Sequence, residues 1–224
     1  MCFSPEADFV AAAVVGTIGV ATLRQVRTKR ELLIGSLPLL FALHQFVEGF
    51  VWLGLRGDVS NGVEQAAVYI YVLYAFAILP LIVPLGFFLL EPVDSHRRWL
   101  RPFVVLGVGV SLFYLWHVIV DPLEAIAHPH GIEYLSGALG GYVAAVCYVI
   151  ATCVPALLSS RRYLRWFGVA NIAAAGFTFA VHQVEFASIW CLYAASASLL
   201  ILEHFRRERA GGDGAAVVQA ASPT

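Results

Sequence analysis

Seven apolar runs, each roughly 17–25 residues long, succeed one another along the 224 residues, and no other feature limits the fold as tightly. They fall at roughly 8–24, 32–53, 66–90, 102–121, 138–158, 166–185 and 187–205. With 60% apolar and 13% charged residues and a mean hydropathy of +0.79, the chain carries more apolar surface than a soluble domain of this size can hide. The expectation is an all-α, seven-transmembrane-helix bundle over residues 1–205, followed by a disordered Gly/Ala-rich cytoplasmic tail over 206–224. The last two runs share residues 166–205, about 60 Å of helix, which is two crossings joined by a tight turn near Glu185 to Ser188.

Basic residues near the ends of spans stay in the cytoplasm, and here they sort cleanly. Arg24, Arg27, Lys29 and Arg30 follow the first run; Arg97, Arg98 and Arg101 follow the third; Arg161, Arg162 and Arg165 follow the fifth; Arg206, Arg207 and Arg209 follow the seventh. Only Arg56 lies on the other side. This predicts a multi-pass cell-membrane protein with its N-terminus outside and its C-terminus inside. The opening "MCFSPEAD" has no positive n-region and no small-residue cleavage site follows the first run, so that run reads as a reverse anchor and not as a signal peptide. The formal charge of −1 says little about partners. The lipid bilayer is the partner the composition demands, nothing points to nucleic acid, and the oligomeric state stays open.

The chain echoes itself. "FALHQ" at 41–45 returns as "FAVHQ" at 179–183, "FVAAAVVGTIGVATL" from Phe9 resembles "YVAAVCYVIATCVPAL" from Tyr142, and "LYA" recurs at Leu73 and Leu192. A 3+1+3 parallel repeat would relate spans one to three to spans five to seven; chance similarity between Ala/Val-rich helices is the alternative.

Ionisable residues inside spans are expensive, about 2.5–3.5 kcal/mol each on insertion scales, so they face a bundle interior and find partners. His44 and Glu48 lie at i and i+4 on span two, His117 and Asp121 repeat that spacing on span four, and His182 and Glu185 are at i and i+3 on span six. Together with Gln45 and Gln183 they predict a polar chamber in the outer half of the bundle. Four uses of such a chamber stay open. The pairs can simply lock helices together. They can hold zinc or iron through His117, His182, His44 and Glu48, although His44 lies deeper than the other two histidines. They can form a proton or solute pathway. Haem between His44 and His182 is the least favoured, because Gln and Glu beside the ligands do not suit an apolar slot. The sole lysine, Lys29, lies in a loop, which excludes a retinal Schiff base on span seven.

Cys147 and Cys153 read as small packing residues, whereas Cys2 and Cys191 could form an outer disulfide or add thiolate ligands. Trp52 and Trp190 read as interfacial anchors. Pro80 and Pro84 predict a kink in span three, and "PHG" at 129–131 predicts a turn in the outer loop that also holds His128 and His130.

"MCFS" at 1–4, "HQFVEGFVW" at 44–52 and "IWCLYAA" at 189–195 together resemble an uncharacterised family of small bacterial, largely actinobacterial, multi-pass membrane proteins with an N-terminal MCFS motif. The resemblance extends over nearly the whole chain and implies no activity. It implies that Cys2, Phe3, Ser4, Gln45, Glu48, Trp52, Trp190 and Cys191 belong to the recurring pattern. Glutamine often occupies the position of His44 in that pattern, which shifts weight from His44 to Glu48. A weaker resemblance, of chemistry and not of motif, is to seven-span metal-dependent hydrolases of the alkaline ceramidase and adiponectin-receptor type, whose Ser-Asp-His spacing and last-span HxxxH are missing here.

The leading expectation is binding or transport of a small solute, proton or metal ion, with Glu48 and Glu185 as paired acidic groups. The rivals are an intramembrane hydrolase, with zinc on His117 and His182, His44 assisting and Asp121 or Glu48 activating water, and a structural subunit. Elemental analysis of detergent-purified protein separates them. The hydrolase requires stoichiometric zinc or iron that a His117→Ala/His182→Ala variant loses, and a proton chamber or a structural subunit requires none.

Overall fold

The computed structural model describes residues 4–135, 141–181 and 186–220, without the side chains of 187, 191, 192, 194 and 211–220. Eight α-helices and one hairpin make up the described residues: α1 (Pro5–Leu23), α2 (Leu32–Leu55), α3 (Asn61–Val72), a π-helical segment (Leu73–Ile78), α4 (Leu79–Leu90), α5 (Asp94–Val120), β1 (Glu124–His128), β2 (Gly131–Leu135), α6 (Tyr142–Leu157), α7 (Arg162–Val181) and α8 (Phe186–Ala220). The π segment joins α3 to α4 in one 30-residue rod, so six helices among the described residues are long and apolar enough to cross a membrane. The apolar helix α6 is shorter, at 16 residues. Helix α8 is already under way at Phe186 and runs to Ala220, through the segment expected as a tail.

Ser4 starts α1. Its Oγ accepts the Ala7 N–H at 3.3 Å, and Pro5 occupies the first turn, where a missing N–H costs nothing. Nearly every side of α1 is apolar, so size rather than polarity chooses the packed face. Pro5, Asp8, Ala12, Val15, Gly19 and Thr22, spaced alternately by three and four, are buried, while Val10, Val14 and Val20 face out. Helix α2 lies antiparallel against that stripe. Phe9 sits over Gly49, Gly16 faces Ala42, and Gly19 lies against the backbone of Leu39. α2 is the central helix, buried on several sides from Ile34 to Gly54, and Gly57 (φ 79°) ends it in the left-handed conformation that suits glycine.

The π segment has a local cause. Pro80 has no N–H to return to the preceding turn, which leaves a carbonyl there without its helical donor. Two other helices donate to carbonyls of the segment: Tyr148 Oη on α6 donates to Ala75 O at 2.6 Å, and Ser111 Oγ on α5 donates to Ala77 O. Gly107 lets α5 approach Pro80 where a Cβ would collide with its carbonyl.

Contacts between loops define two ends. At one, buried Glu91 accepts from the Ser160 N–H (2.9 Å) and the Ser159 hydroxyl (3.3 Å), Arg209 Nε donates to Gln25 O (2.7 Å), and Arg161 pairs with Glu208. The segments holding 24–30, 91–94, 159–162 and 206–209 therefore meet at a single basic end. At the other, Arg56, the outlier of the charge pattern, pairs with Glu6 (3.2 Å), and the hairpin covers the bundle. The hairpin pairs Glu124 with Leu135 and His128 with Gly131 around a Pro129-His130 turn. The turn was expected from "PHG"; the strands were not, because each has only five residues. Alternation on β2 puts Ile132 and Tyr134 into the bundle and leaves Glu133 partly outside. Together with Leu123 they pack on Val51, Trp52, Val68, Tyr71 and Val118.

The α1–α2 contact makes unequal demands on its two small positions. At Gly19 an added Cβ would lie 2.6 Å from the Leu39 backbone, whereas at Gly16 its nearest neighbour would be Ala42 Cβ at an ordinary 3.7 Å. Gly19→Ala is expected to destabilise the detergent-solubilised protein by about 1–3 kcal/mol, read as a lowered unfolding temperature, while Gly16→Ala leaves that temperature close to wild type.

Candidate functional site

Gln45 and Glu48 occupy one turn of α2 and are wholly buried, and His44 is 3% exposed. The cause is the central place of α2, with neighbours on both the Gln45/Glu48 side and the His44 side. Gln45 Nε2 donates to Glu48 Oε2 at 2.8 Å. The hydroxyls of Tyr71 on α3, Tyr134 on β2 and Ser188 on α8 also lie beside the Glu48 carboxylate without reaching full hydrogen-bond geometry. Four elements thus converge on one acidic side chain.

A second carboxylate joins it. The α1–α2 register that sets Phe9 over Gly49 brings Asp8, also wholly buried, close enough to Glu48 for the two to act on one another electrostatically. The Trp52 indole N–H lies beside Asp8 without reaching full hydrogen-bond geometry. Both Asp8 oxygens and Glu48 Oε1 lack a hydrogen-bond partner among the described residues. A buried carboxylate oxygen left this way is costly unless something else satisfies it, and two such groups together make this the candidate site.

Aromatic rings wall the site. His44 stacks on Tyr71 with centroids 3.9 Å apart and planes 22° from parallel, and Tyr71 stacks on Tyr134 at 4.2 Å and 11°. Tyr71 is thereby sandwiched between α2 and the hairpin, and its hydroxyl is held toward Glu48. His44 also touches Tyr74 at 4.7 Å. It serves as a ring in a stack, with no hydrogen bond to its Nε2 among the described residues.

The other expected residues separate. His117 Nδ1 and Asp121 Oδ2 are 2.9 Å apart at the end of α5, with side chains 28% and 22% exposed, so this pair closes on itself. His128 Nε2 and Glu133 Oε2 make a similar 2.8 Å pair across the hairpin. Among the described residues, no group of three or more His, Cys, Asp or Glu side chains is gathered for a metal. His182, Gln183, Glu185 and Cys2, and the side chain of Cys191, lie outside the described residues. Trp52 and Trp190, expected as interfacial anchors, are buried: Trp52 beside Asp8, and Trp190 against Tyr148 and Phe186. Cys147 and Cys153 are free thiols, Cys153 packed in the core. Ser4 caps α1 one turn before Asp8.

Sequence reasoning missed Asp8, Tyr71, Tyr134 and Ser188. A signal for Asp8 was available: it is the one carboxylate on the small-residue stripe that continues through Ala12, Val15 and Gly19. Tyr134 carried none, because nothing in its loop reveals a strand folded back into the bundle.

If His44 acts as a stacked ring, shape matters more than its nitrogens. His44→Phe is expected to change stability by less than about 1.5 kcal/mol, and His44→Ala to cost about 2–4 kcal/mol, measured by thermal unfolding in detergent.

The chain belongs to DUF6629, a family of unknown function, whose model matches residues 1–216. No curated protein and no solved structure matches it.

Proposed function

We propose that this member of a family without an assigned activity is a multi-pass membrane protein that binds and exchanges a proton at Asp8 and Glu48. One observation carries the proposal: two wholly buried carboxylates from different helices share an enclosure whose other described groups are neutral donors. Among the described residues no lysine or arginine forms an ion pair with either. Two like charges cannot both be carried in such a place, and a proton shared between them removes the conflict without requiring room for a larger ligand. The amide of Gln45 and the hydroxyls of Tyr71, Tyr134 and Ser188 then stabilise whichever form Glu48 takes as the proton moves. The enclosure fits a proton better than an organic solute, since neither carboxylate is exposed at all.

The clustering of the basic segments at one end supports an orientation with that end in the cytoplasm and the hairpin outside. The seventh crossing is assigned to α6, whose 16 residues suit a locally thinned or partly polar position in the bundle. The intramembrane hydrolase is the weaker reading, because His117 is occupied by Asp121 and stands apart from the Glu48 enclosure.

In proteoliposomes carrying an internal pH dye, wild type is expected to dissipate an imposed pH gradient, and Glu48→Gln to reduce that flux to the level of empty vesicles. Infrared spectra of the same samples should show a carboxylic C=O band that Glu48→Gln removes. Flux unchanged in Glu48→Gln would overturn the proposal.

A further inference from the structure

The Glu48 enclosure is closed by the α-helices α1, α2, α3 and α8 and by one element of another kind, the β1–β2 hairpin. The hairpin adds Tyr134, whose ring is stacked on Tyr71 and whose buried hydroxyl lies beside Glu48, short of full hydrogen-bond geometry. Its hold on the bundle rests on one of its two strands. β1 has no fully buried residue, and β2 buries Gly131, Ile132 and Tyr134. The segment leading into it is tied by buried Leu123 and by the Gln65 Nε2 to Leu123 O hydrogen bond at 3.1 Å. The helices α1 and α2 bury longer stripes, from Pro5 to Thr22 and from Ile34 to Gly54. Local opening follows the path that exposes the least apolar surface, and here that path is displacement of the hairpin.

We infer that the hairpin is the outer gate of the carboxylate site and that Tyr134 is the residue through which Glu48 exchanges its proton with water on the hairpin side. The inference rests on the proton-binding proposal. With the hairpin seated, the Tyr134 hydroxyl is enclosed with Glu48 and no solvent reaches either. As the hairpin shifts outward, that hydroxyl is the first polar group to meet water. Proton uptake then balances in one concerted step: the phenol gives its proton to the Glu48 carboxylate while its oxygen takes a proton from hydronium. Tyr134 ends neutral, Glu48 ends as the acid, and one water is released. Release to the outside is the reverse. The His128–Glu133 pair across the strands keeps the hairpin a single stiff unit, so that it moves as a flap and does not fray.

The test follows hydrogen–deuterium exchange at the Glu48 carboxyl by infrared spectroscopy on full-length protein in lipid. Gln65→Cys, which removes the existing tie, and Glu124→Cys, both at exposed positions, are introduced with the four native cysteines replaced. They are then joined by a short bifunctional thiol reagent that a reductant cleaves. Cross-linking is expected to slow exchange by about tenfold or more, a barrier increase of about 1.4 kcal/mol or more, with recovery on reduction. Tyr134→Ala should speed exchange, and Tyr134→Phe, which keeps the ring and the seal but lacks the hydroxyl, should slow it. A Glu48 band whose exchange is indifferent to the cross-link and to both Tyr134 variants overturns the gate and leaves the proton site standing. Absence of any band that Glu48→Gln removes overturns both.

Discussion

The close approach of α1 to α2 is the contact on which the rest depends. Gly19 against the Leu39 backbone and Phe9 over Gly49 let two helices meet along small side chains, with little between them that could act as a spacer. That contact sets the register, and the register puts Asp8 beside Glu48. A shift of one helical turn would carry Asp8 away from Glu48 and dissolve the dicarboxylate, while leaving two equally apolar helices. The stability of the pair and the existence of the site are therefore one property of the same interface.

Around this contact the bundle spends its polar groups sparingly. Carbonyls of the segment before Pro80 accept from Tyr148 and Ser111, so the π segment is stitched into α5 and α6. Glu91 and the Arg161–Glu208 pair close the basic end. Each of these is a polar group that finds a partner, as buried groups in low dielectric must. The Asp8–Glu48 enclosure departs from that rule, having carboxylate oxygens without partners in a surround of donors, and it is there that chemistry beyond packing is to be sought. The aromatic stack of His44, Tyr71 and Tyr134 links that place to the hairpin end through ring contact, giving the hairpin a physical means to influence Glu48.

Much of this was legible. The apolar runs at 8–24, 32–53, 66–90, 102–121, 138–158, 166–185 and 187–205 each contain most of a helix, because a run of that length has few other ways to satisfy its backbone groups away from water. His44, Gln45 and Glu48 were identifiable because polar residues in an apolar run stand out. His117 and Asp121 stood out equally but pair with one another, since a spacing of four residues serves a local pair as well as a distant partner. Asp8 was passed over because it opens its run, where a charged residue is ordinary. The second copy of the "FA-x-HQ" echo falls at residues 179–183, of which 179–181 close α7 and 182–183 lie outside the described residues.

Local rules thus determined the helices, their apolar character and the sorting of basic loops, since each depends on residues within one or two turns. Tertiary structure decided which carboxylates meet, which tyrosines point at them, and that a loop folds back as a hairpin to cover them. Those outcomes depend on register and on distances between residues 8, 48, 71, 134 and 188, which are set by how small residues allow helices to approach and which no local pattern encodes.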